Sequence, residues 1–177
     1  MTLIREATPR DLEGIRTVHL LAFPDGEGEV VSSLAVDLLS APSHPATISL
    51  VAELEGTVLG HVAFSPVVAE GHEDWLGYIL APLGVHPEHH GHQVGSRLIV
   101  AGINRLSDLG VHVLFVYGDP RYYGKFGFTT DTASRYVPSY TMRYPFGWQA
   151  VVLNAVGFVD SEVRIVCVEA LENPGLW

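Results

Sequence analysis

The chain has 177 residues, of which 47% are hydrophobic; this size and composition can bury one substantial core and predict a single domain over residues 1–177. Ten basic residues against twenty acidic ones give a formal net charge of -10. Because this charge repels phosphate backbones and attracts cations, we expect no nucleic-acid binding and favour an amine as substrate or partner.

The sequence shows neither a secretory signal nor a membrane span. Residues 1–13 carry charges where a secretory signal needs an apolar stretch. No run of the sequence reaches the ~18 apolar residues of a membrane span. We therefore expect a soluble, cytoplasmic protein that has no membrane partner.

The N-terminal part of the chain predicts a short strand and two helices. The strand is expected over residues 2–5. Thr8 is a candidate N-cap and Pro9 suits the first helical position, so a helix should begin there and continue to Ala22. Apolar residues at helical spacing predict the second helix over residues 29–39.

From Ile48 the apolar residues recur at every second position, which is typical of strands. Residues 48–54 and 58–64 flank a turn and predict a hairpin that ends near Pro66. Residues 75–85 predict a further strand, which Pro82 interrupts because proline has no amide proton for a ladder. We therefore expect a bulge or a splayed edge over residues 81–84.

The next segments predict a strand, helix and strand unit. A polar loop with glycines over residues 86–95 leads to a helix over residues 96–109. Residues 111–116 are almost continuously apolar, as in a strand buried on both faces. A connection of this kind joins parallel strands with a right-handed crossover.

The C-terminal part predicts a short helix, a long loop and two strands. The helix should pass through Tyr123 and end at Gly127. A loop rich in aromatic residues and containing prolines follows over residues 136–147, and loops of this length are often functional. The strands are expected near residues 150–153 and 163–168.

The turn between the strand at Val85 and the following helix is the most informative local pattern. Free amides at a helix N-terminus, together with the helix dipole, can bind a pyrophosphate. Gly91 and Gly95 would allow the backbone to come close to such an anion. The alternative is an ordinary strand-to-helix turn in which the glycines only relieve steric crowding.

This turn resembles the coenzyme A signature of the GNAT superfamily, Gln/Arg-x-x-Gly-x-Gly/Ala after a bulged strand. The matching positions, with Ser96 next to them, are His90, Gly91, His92, Gln93, Val94 and Gly95. Only Gly95 matches strictly, because His90 replaces the usual Gln or Arg and Gln93 replaces the first Gly. Gln93 puts a side chain where the family leaves room for phosphate, so we expect the loop geometry or the affinity for CoA to differ.

A second segment resembles the same family more closely. Residues 118–128 read Gly-Asp-Pro-Arg-Tyr-Tyr-Gly-Lys-Phe-Gly-Phe, in which Tyr123, Gly127 and Phe128 match the family's Tyr-x-x-x-Gly-Phe. With Gly-His-Val-Ala-Phe-Ser-Pro at residues 60–66, the pattern is similar to the YhbS-like subgroup of predicted N-acetyltransferases. The resemblance covers residues 3–130, and residues 131–177 diverge.

The resemblance implies direct transfer from acetyl-CoA to an amine in a ternary complex, without an acyl-enzyme. It implies that backbone groups of Leu83, Gly84 and Val85 bind the pantetheine chain, and that an amide there stabilises the oxyanion. Tyr123 stands at the family's position for the general acid that meets the departing thiolate. The alternative for Tyr123 is a packing role.

The base that deprotonates the amine is not identified by the sequence. Glu29 is a candidate because the second helix flanks the acceptor cleft in the family, although it can equally be a solvated helix carboxylate. His86 has a suitable intrinsic pKa but can equally be a loop histidine. His61 and Ser65 either face the cleft or bond to backbone groups at the strand end.

Three other features have simpler explanations. The histidines at positions 86, 89, 90 and 92 match no closed metal motif, so we expect no metal and place them beside the CoA phosphates. Cys167, the single cysteine, lies in an apolar run and is interpreted as a small buried side chain. The aromatic residues of the long loop and its end either line an acceptor pocket or cover a sheet edge or dimer contact; they are Tyr136, Tyr140, Tyr144, Phe146 and Trp148.

The expected fold is α/β, GNAT-like, with a mixed and twisted sheet of six or seven strands. Helices should lie on both faces, and the sheet should be splayed at the central parallel strand pair. The expected activity is acetyl transfer from acetyl-CoA to a primary amine of a small molecule or a protein, and the family suggests a homodimer. The alternatives are an acyl-CoA-binding sensor without turnover and an interaction domain that uses the aromatic loop.

Overall fold

The computed structural model describes residues 1–155 and 161–177. Its contacts divide the chain into two compact units. The first unit comprises residues 1–64 and 81–102, and the second comprises residues 65–80 and 103–177. Among the described residues, the helices are all too short or too polar to cross a membrane.

Eight strands form the sheet within the part of the chain that the structure describes. They are β1 Leu3–Glu6, β2 Ile48–Leu54, β3 Thr57–Ala69, β4 Gly77–Val85, β5 Val113–Tyr117, β6 Tyr136–Val137, β7 Trp148–Val152 and β8 Val163–Val166. Six of them follow one another in the order β1-β2-β3-β4-β5-β7, while β8 pairs with β3 and with β6. The predicted mixed sheet is confirmed, and the short β6 and β8 bring the count above six or seven.

The parallel pair predicted from the strand, helix and strand pattern is present. Strand β4 pairs with β5 in parallel, from Gly77 opposite Val113 to Leu80 opposite Val116. The pairs β2 with β3 and β5 with β7 are antiparallel. The parallel register ends directly before Ala81, where the sequence predicts that Pro82 disturbs the ladder.

Five α-helices accompany the strands of the described chain. They are α1 Leu12–Ala22, α2 Glu27–Ser40, α3 Val94–Asp108, α4 Pro120–Tyr123 and α5 Thr130–Ala133. The predicted bounds of the two long helices α2 and α3 are correct to within two residues. Helix α4 continues into a 3-10 turn, and Gly127, with a φ of 91°, follows it as the sequence predicts.

In the first unit, helices lie on both faces of strand β3. A Cβ on Gly60 would lie 2.9 Å from a methyl group of Val94 in α3. The next residue, His61, bonds instead to His19 of α1. Since neighbouring strand residues point to opposite faces, α1 and α3 cover opposite faces of this unit, as predicted.

The pairing of β2 with β3 ends at Ile48 and Phe64, so the hairpin ends near Pro66 as predicted. Strand β3 continues through Pro66 to Ala69. Its last residues, Val68 and Ala69, pair with Val166 and Ile165 of β8. A partner strand about a hundred residues away in the chain supports this extension, and such a partner leaves no local sequence signal.

A network of charged groups joins β1, the start of α1 and β2. Arg5 donates from both terminal guanidinium nitrogens to the two carboxylate oxygens of Asp11, each at 2.8 Å. Its Nε donates to Oε2 of Glu53 at 2.8 Å. Asp11 is only 7% exposed and also accepts a bond from the Thr8 amide at 2.7 Å. Hydrogen bonding by the Arg5 guanidinium lowers the pKa of the Asp11 carboxyl to about 2.

We predict that Asp11→Asn lowers the free energy of unfolding by about 1–3 kcal/mol at neutral pH, because a buried charged acceptor is lost. The stability that this carboxylate contributes is fully present above its ordinary pKa of 3.8 and is lost as the pH falls towards about 2. The difference between wild type and variant should therefore shrink below pH 4, as measured by urea unfolding. Asp37, exposed on α2, supplies the control, since Asp37→Asn should change little. Equal losses in both variants would contradict this role of Asp11.

Candidate active site

The turn between β4 and α3, in the first unit, has the geometry of an anion site. Gly91 has a φ of 80° and Gln93 has a φ of 60°. The amide of Arg97 donates to the carbonyl oxygen of Gln93 at 2.9 Å. This is the first bond of the helix, so the amides of the three residues from Val94 to Ser96 precede it at the positive end of the helix dipole.

The left-handed φ of Gln93 explains why the family's signature has glycine at this position. A residue with a side chain adopts this region at a cost of order 1–2 kcal/mol, whereas glycine adopts it freely. The departure of Gln93 from the signature therefore leaves the backbone conformation in place. Gln93 is exposed, while Val94 and Gly95 are buried.

The histidines of this turn bond mainly within it. Nδ1 of His86 accepts a bond from the amide of Glu88 at 3.3 Å. Nε2 of His90 lies 2.9 Å from the carbonyl oxygen of Val85, to which it donates. The ring centroid of His89 lies 5.8 Å from that of His86 and 6.2 Å from that of His92. Within residues 1–155 and 161–177, no three acidic, cysteine or histidine side chains come together as a metal site would require.

The end of β4 holds the backbone groups that the resemblance assigns to the pantetheine chain. Leu83 and Val85 are half-buried and Gly84 is buried. Of the groups expected to be free, the Val85 carbonyl oxygen is already bonded to His90. A Cβ on Gly84 would lie 2.6 Å from Nδ1 of His19, so only glycine allows α1 to approach the strand this closely.

Behind Gly84 lies a buried chain of three polar side chains. Nε2 of His19 lies 2.8 Å from Nδ1 of His61, and Nε2 of His61 lies 2.6 Å from Oγ of Ser49. Both histidines are 0% exposed. Burial lowers the pKa of His19 to about 4 and that of His61 well below its ordinary value, the latter helped by its proximity to His19. Both rings are therefore neutral at physiological pH.

In the second unit, the backbone around Gly118 positions Tyr123. A Cβ on Gly118 would lie 2.5 Å from Cε2 of Tyr123, so the ring rests against a glycine backbone. The Gly118 amide donates to the carbonyl oxygen of Gly147 at 3.0 Å, and Nε2 of Gln149 donates to the Gly118 carbonyl oxygen at 3.1 Å. Phe128 meets the Tyr123 ring edge to face at 5.8 Å between centroids.

Local signals also explain why α4 forms at this place. The Asp119 carboxylate caps the helix by accepting a bond from the Arg121 amide at 2.9 Å, and Pro120 takes the first helical position. Burial, followed by the proximity of Tyr122, raises the pKa of the Tyr123 phenol. Tyr123 is therefore protonated at neutral pH, as a proton donor must be.

The two candidate bases lie in environments that do not favour that role. Glu29 is exposed in the first turn of α2, where a carboxylate meets the helix dipole favourably. His86 is half-buried, and its Nδ1 already accepts the Glu88 amide, so the neutral ring carries its proton on Nε2. This leaves the neutral His86 ring without a spare lone pair.

The aromatic set of the sequence divides into two groups. Tyr136 and Trp148 are buried against Phe115, and Tyr140 donates to the carbonyl oxygen of Glu172. Tyr144 and Phe146 are 49% and 62% exposed and line a cavity of about 390 Å³ in the second unit. The other residues of its wall are Tyr117, Gly118, Asp119, Pro120, Arg121 and Gly147.

Three further candidates have structural explanations or lack partners. Burial raises the pKa of the half-buried Cys167 thiol to about 12, with Glu172 adding to the effect, so the thiol is protonated and unreactive. Ser65 is fully buried, and its Oγ has no hydrogen-bond partner among the described residues. His61 bonds to side chains and not to the backbone groups of a strand end.

Sequence reasoning missed His19. It lies on the apolar face of α1, next to Val18 and four residues after Ile15, both of which are buried. A polar side chain on the buried face of an amphipathic helix requires a partner, and that was the available signal. Its hydrogen-bond partner, His61, lies on β3, later in the chain, and bonds in turn to Ser49 of β2.

Comparisons with known proteins show which family the chain belongs to. The family model described as Acetyltransferase (GNAT) domain matches residues 45–130. The chain is 37% identical over 131 residues to the uncharacterized N-acetyltransferase YjhQ of Escherichia coli K12, covering 73% of this chain and 70% of that protein. It is 36% identical over 129 residues to YhbS of the same strain, covering 71% and 72%.

Two solved structures extend the comparison to the fold. YhbS from Escherichia coli in complex with CoA matches with a TM-score of 0.78 and 28% identity, over 92% of this chain and 88% of that one. A GNAT family acetyltransferase from Brucella melitensis in complex with acetyl-CoA matches with a TM-score of 0.67 and 32% identity, over 92% and 94%. The predicted GNAT-type fold is confirmed, and this chain belongs to the GNAT family of N-acetyltransferases.

Proposed function

We propose that residues 1–177 act as one catalytic domain that transfers an acetyl group from acetyl-CoA to a primary amine, by direct attack in a ternary complex. The observation that carries the proposal is the turn into α3, where the amides of Val94, Gly95 and Ser96 precede the first helical hydrogen bond. Such an arrangement favours a diphosphate. The solved relatives hold CoA or acetyl-CoA.

In this proposal the donor binds through backbone groups. The diphosphate takes the amides from Val94 to Ser96, while Gly91 leaves room for it to approach. His90 and His92, both exposed, stand beside the phosphates, and Gln93 adopts the left-handed conformation of the turn. The pantetheine chain takes backbone groups of Leu83 and Gly84 and the amide of Val85.

Tyr123 is proposed as the group that meets the departing thiolate. The C–S bond breaks after the amine nitrogen has bonded to the thioester carbon, and the phenol donates to the sulfur as charge develops there. Burial raises the pKa of Tyr123 and keeps its proton in place until that moment. An amide of the Leu83–Val85 segment stabilises the oxyanion of the intermediate.

Members of the family act on amines, and the net charge of -10 favours a cationic acceptor. We assign the apolar part of that acceptor to the cavity lined by Tyr117, Tyr144 and Phe146, whose volume of about 390 Å³ is in the range of small-molecule sites. Two of the groups that could bind a cation there, the Asp119 carboxylate and the Tyr144 ring, are already engaged. Arg121 lies 3.4 Å from the Asp119 carboxylate, and the Arg143 guanidinium lies 5.4 Å from the Tyr144 ring centroid. An arylalkyl amine therefore suits the cavity better than a polyamine.

A homodimer and a cytoplasmic location remain predictions.

The first experiment is a calorimetric titration of CoA and acetyl-CoA, followed by thiol release with an amine panel that pairs arylalkyl amines with polyamines and basic peptides. We expect binding of both nucleotides and thiol release that depends on an amine. Binding without release over the whole panel would favour an acyl-CoA sensor. Absence of binding would contradict the proposal and favour an interaction domain that uses the aromatic loop.

Substitutions of Gln93 test whether the left-handed turn binds the donor. Gln93→Gly should leave CoA affinity equal or improved, because glycine adopts a φ of 60° without strain. Gln93→Val should weaken CoA binding by about tenfold, because the left-handed conformation costs a β-branched residue about 1–3 kcal/mol. Calorimetric dissociation constants measure both effects. Equal affinities of the two variants would show that CoA does not depend on this conformation.

Tyr123→Phe should lower kcat by about 10²-fold or more with little change in the dissociation constant of CoA, since only the proton donor is removed. Tyr122, which touches Tyr123 edge to face at 5.0 Å, supplies the matched control. Steady-state thiol release should show Tyr122→Phe close to wild type. An unchanged kcat in Tyr123→Phe would reduce Tyr123 to a packing residue.

A further inference from the structure

The buried chain of Ser49, His61 and His19 ends in a nitrogen without a partner. Nδ1 of His19 has no hydrogen bond to any described residue, although His19 is 0% exposed. Leaving a buried polar atom unpaired costs about 1–3 kcal/mol, so such an atom in a native structure requires a structural or functional reason. Here the atom lies against the backbone of Gly84, in the segment assigned above to the acyl donor.

The connectivity of the chain allows a proton to pass through it. In one arrangement Nε2–H of His19 donates to Nδ1 of His61, and Nε2–H of His61 donates to Ser49, so Nδ1 of His19 holds a lone pair. In the other arrangement Ser49 donates to His61, His61 donates to His19, and Nδ1 of His19 carries a hydrogen. A proton that enters at Nδ1 of His19 converts the first arrangement into the second and releases the proton of Ser49.

The environment favours a shift of protons without a lasting charge. Burial depresses the pKa of both rings, so neither imidazole holds an extra proton. Ser49 is 8% exposed and both histidines are 0% exposed, so Ser49 is the residue of the chain that lies nearer to water. The Phe23 ring stacks on His19 at 6.0 Å between centroids and keeps the inner end apolar.

We propose that Ser49, His61 and His19 form a proton relay that deprotonates the acceptor ammonium, with Nδ1 of His19 beside Gly84 as the entry and Ser49 as the exit to water. The proposal rests on the proposed transferase function. His19 is its catalytic residue, because it receives the proton, whereas His61 and Ser49 act through His19.

The protons balance over one turnover. The ammonium gives one proton to Nδ1 of His19, and Ser49 gives one to water. The free amine then attacks the thioester carbon, the nitrogen loses its second proton to water, and the C–S bond breaks. The thiolate takes the proton of Tyr123, which regains one from water, so the reaction releases one net proton. The relay returns to its first arrangement when Nδ1 of His19 gives its proton to a water that replaces the product beside Gly84, and Ser49 takes one up.

The alternative is that the three side chains only hold α1 against the sheet. This role predicts a loss of stability on substitution, and any loss of rate would be the same for every acceptor. The relay predicts that the loss depends on the acceptor. An ammonium requires deprotonation, whereas a β,β-difluorinated analogue of the same amine has a much lower pKa and is mostly neutral in an assay at about pH 8.

The test compares Ser49→Ala with wild type on an accepted amine and on its fluorinated analogue. We expect kcat/KM to fall by about 10²-fold for the parent amine and to change little for the analogue. Ser49→Thr, which keeps a hydroxyl, should restore the parent rate. The control is Ser32, a buried serine of α2 that donates to the carbonyl oxygen of Glu29. Ser32→Ala should have the kcat/KM of wild type with both amines.

A second variant guards against misfolding of the first. In His19→Gln the terminal amide can take the place of Nε2 and keep the bond to His61, while the entry nitrogen is removed. The same selective loss is expected, with the thermal unfolding midpoint and CoA affinity close to wild type. Equal rates or equal losses on the two amines would overturn the relay alone. Failure of wild type to release thiol with any amine would remove the transferase function, and the relay with it.

Discussion

The close approach of α1 to β4 at Gly84 is the constraint on which the candidate site in the first unit depends. Any side chain at this position would collide with the ring of His19. On the other face of the sheet, Gly60 allows Val94 and the start of α3 to come close to β3. Because Gly84 and Gly60 have no side chains, His19 of α1 comes close to β4, and the first residues of α3 come close to β3. Backbone and not side-chain chemistry therefore forms most of the proposed donor site.

The parts of the fold that the sequence predicts well are those with a local cause. The helix after the turn, the parallel strand pair and the end of the parallel register near Pro82 each follow from periodicity or from the missing amide of proline. The segment around Tyr123 also has local causes. Asp119 caps α4, Pro120 lies in its first turn, and Gly127 ends the following 3-10 turn in a left-handed conformation, all within nine residues. Signals of this kind do not need a distant partner.

The parts that the sequence did not predict depend on residues far apart in the chain. Strand β3 passes Pro66 because β8 pairs with its end. The aromatic residues of the long loop divide between the core and a cavity wall, and composition cannot tell Tyr136 from Tyr144. His19 looks like an ordinary helix residue until His61 and Ser49 are placed beside it. In each case the contact that decides the structure joins elements far apart in the chain, so no local sequence pattern predicts it.

Burial acts on the titratable groups of the two units in a common way. It raises the pKa of Tyr123 and lowers those of His19 and His61, so that all three are uncharged at neutral pH. An uncharged phenol can donate a proton, and an uncharged imidazole can accept one. The surface, by contrast, carries the acidic excess that attracts a cationic amine. Acetyl transfer requires this division, because the amine arrives as a cation but attacks only as a neutral nucleophile.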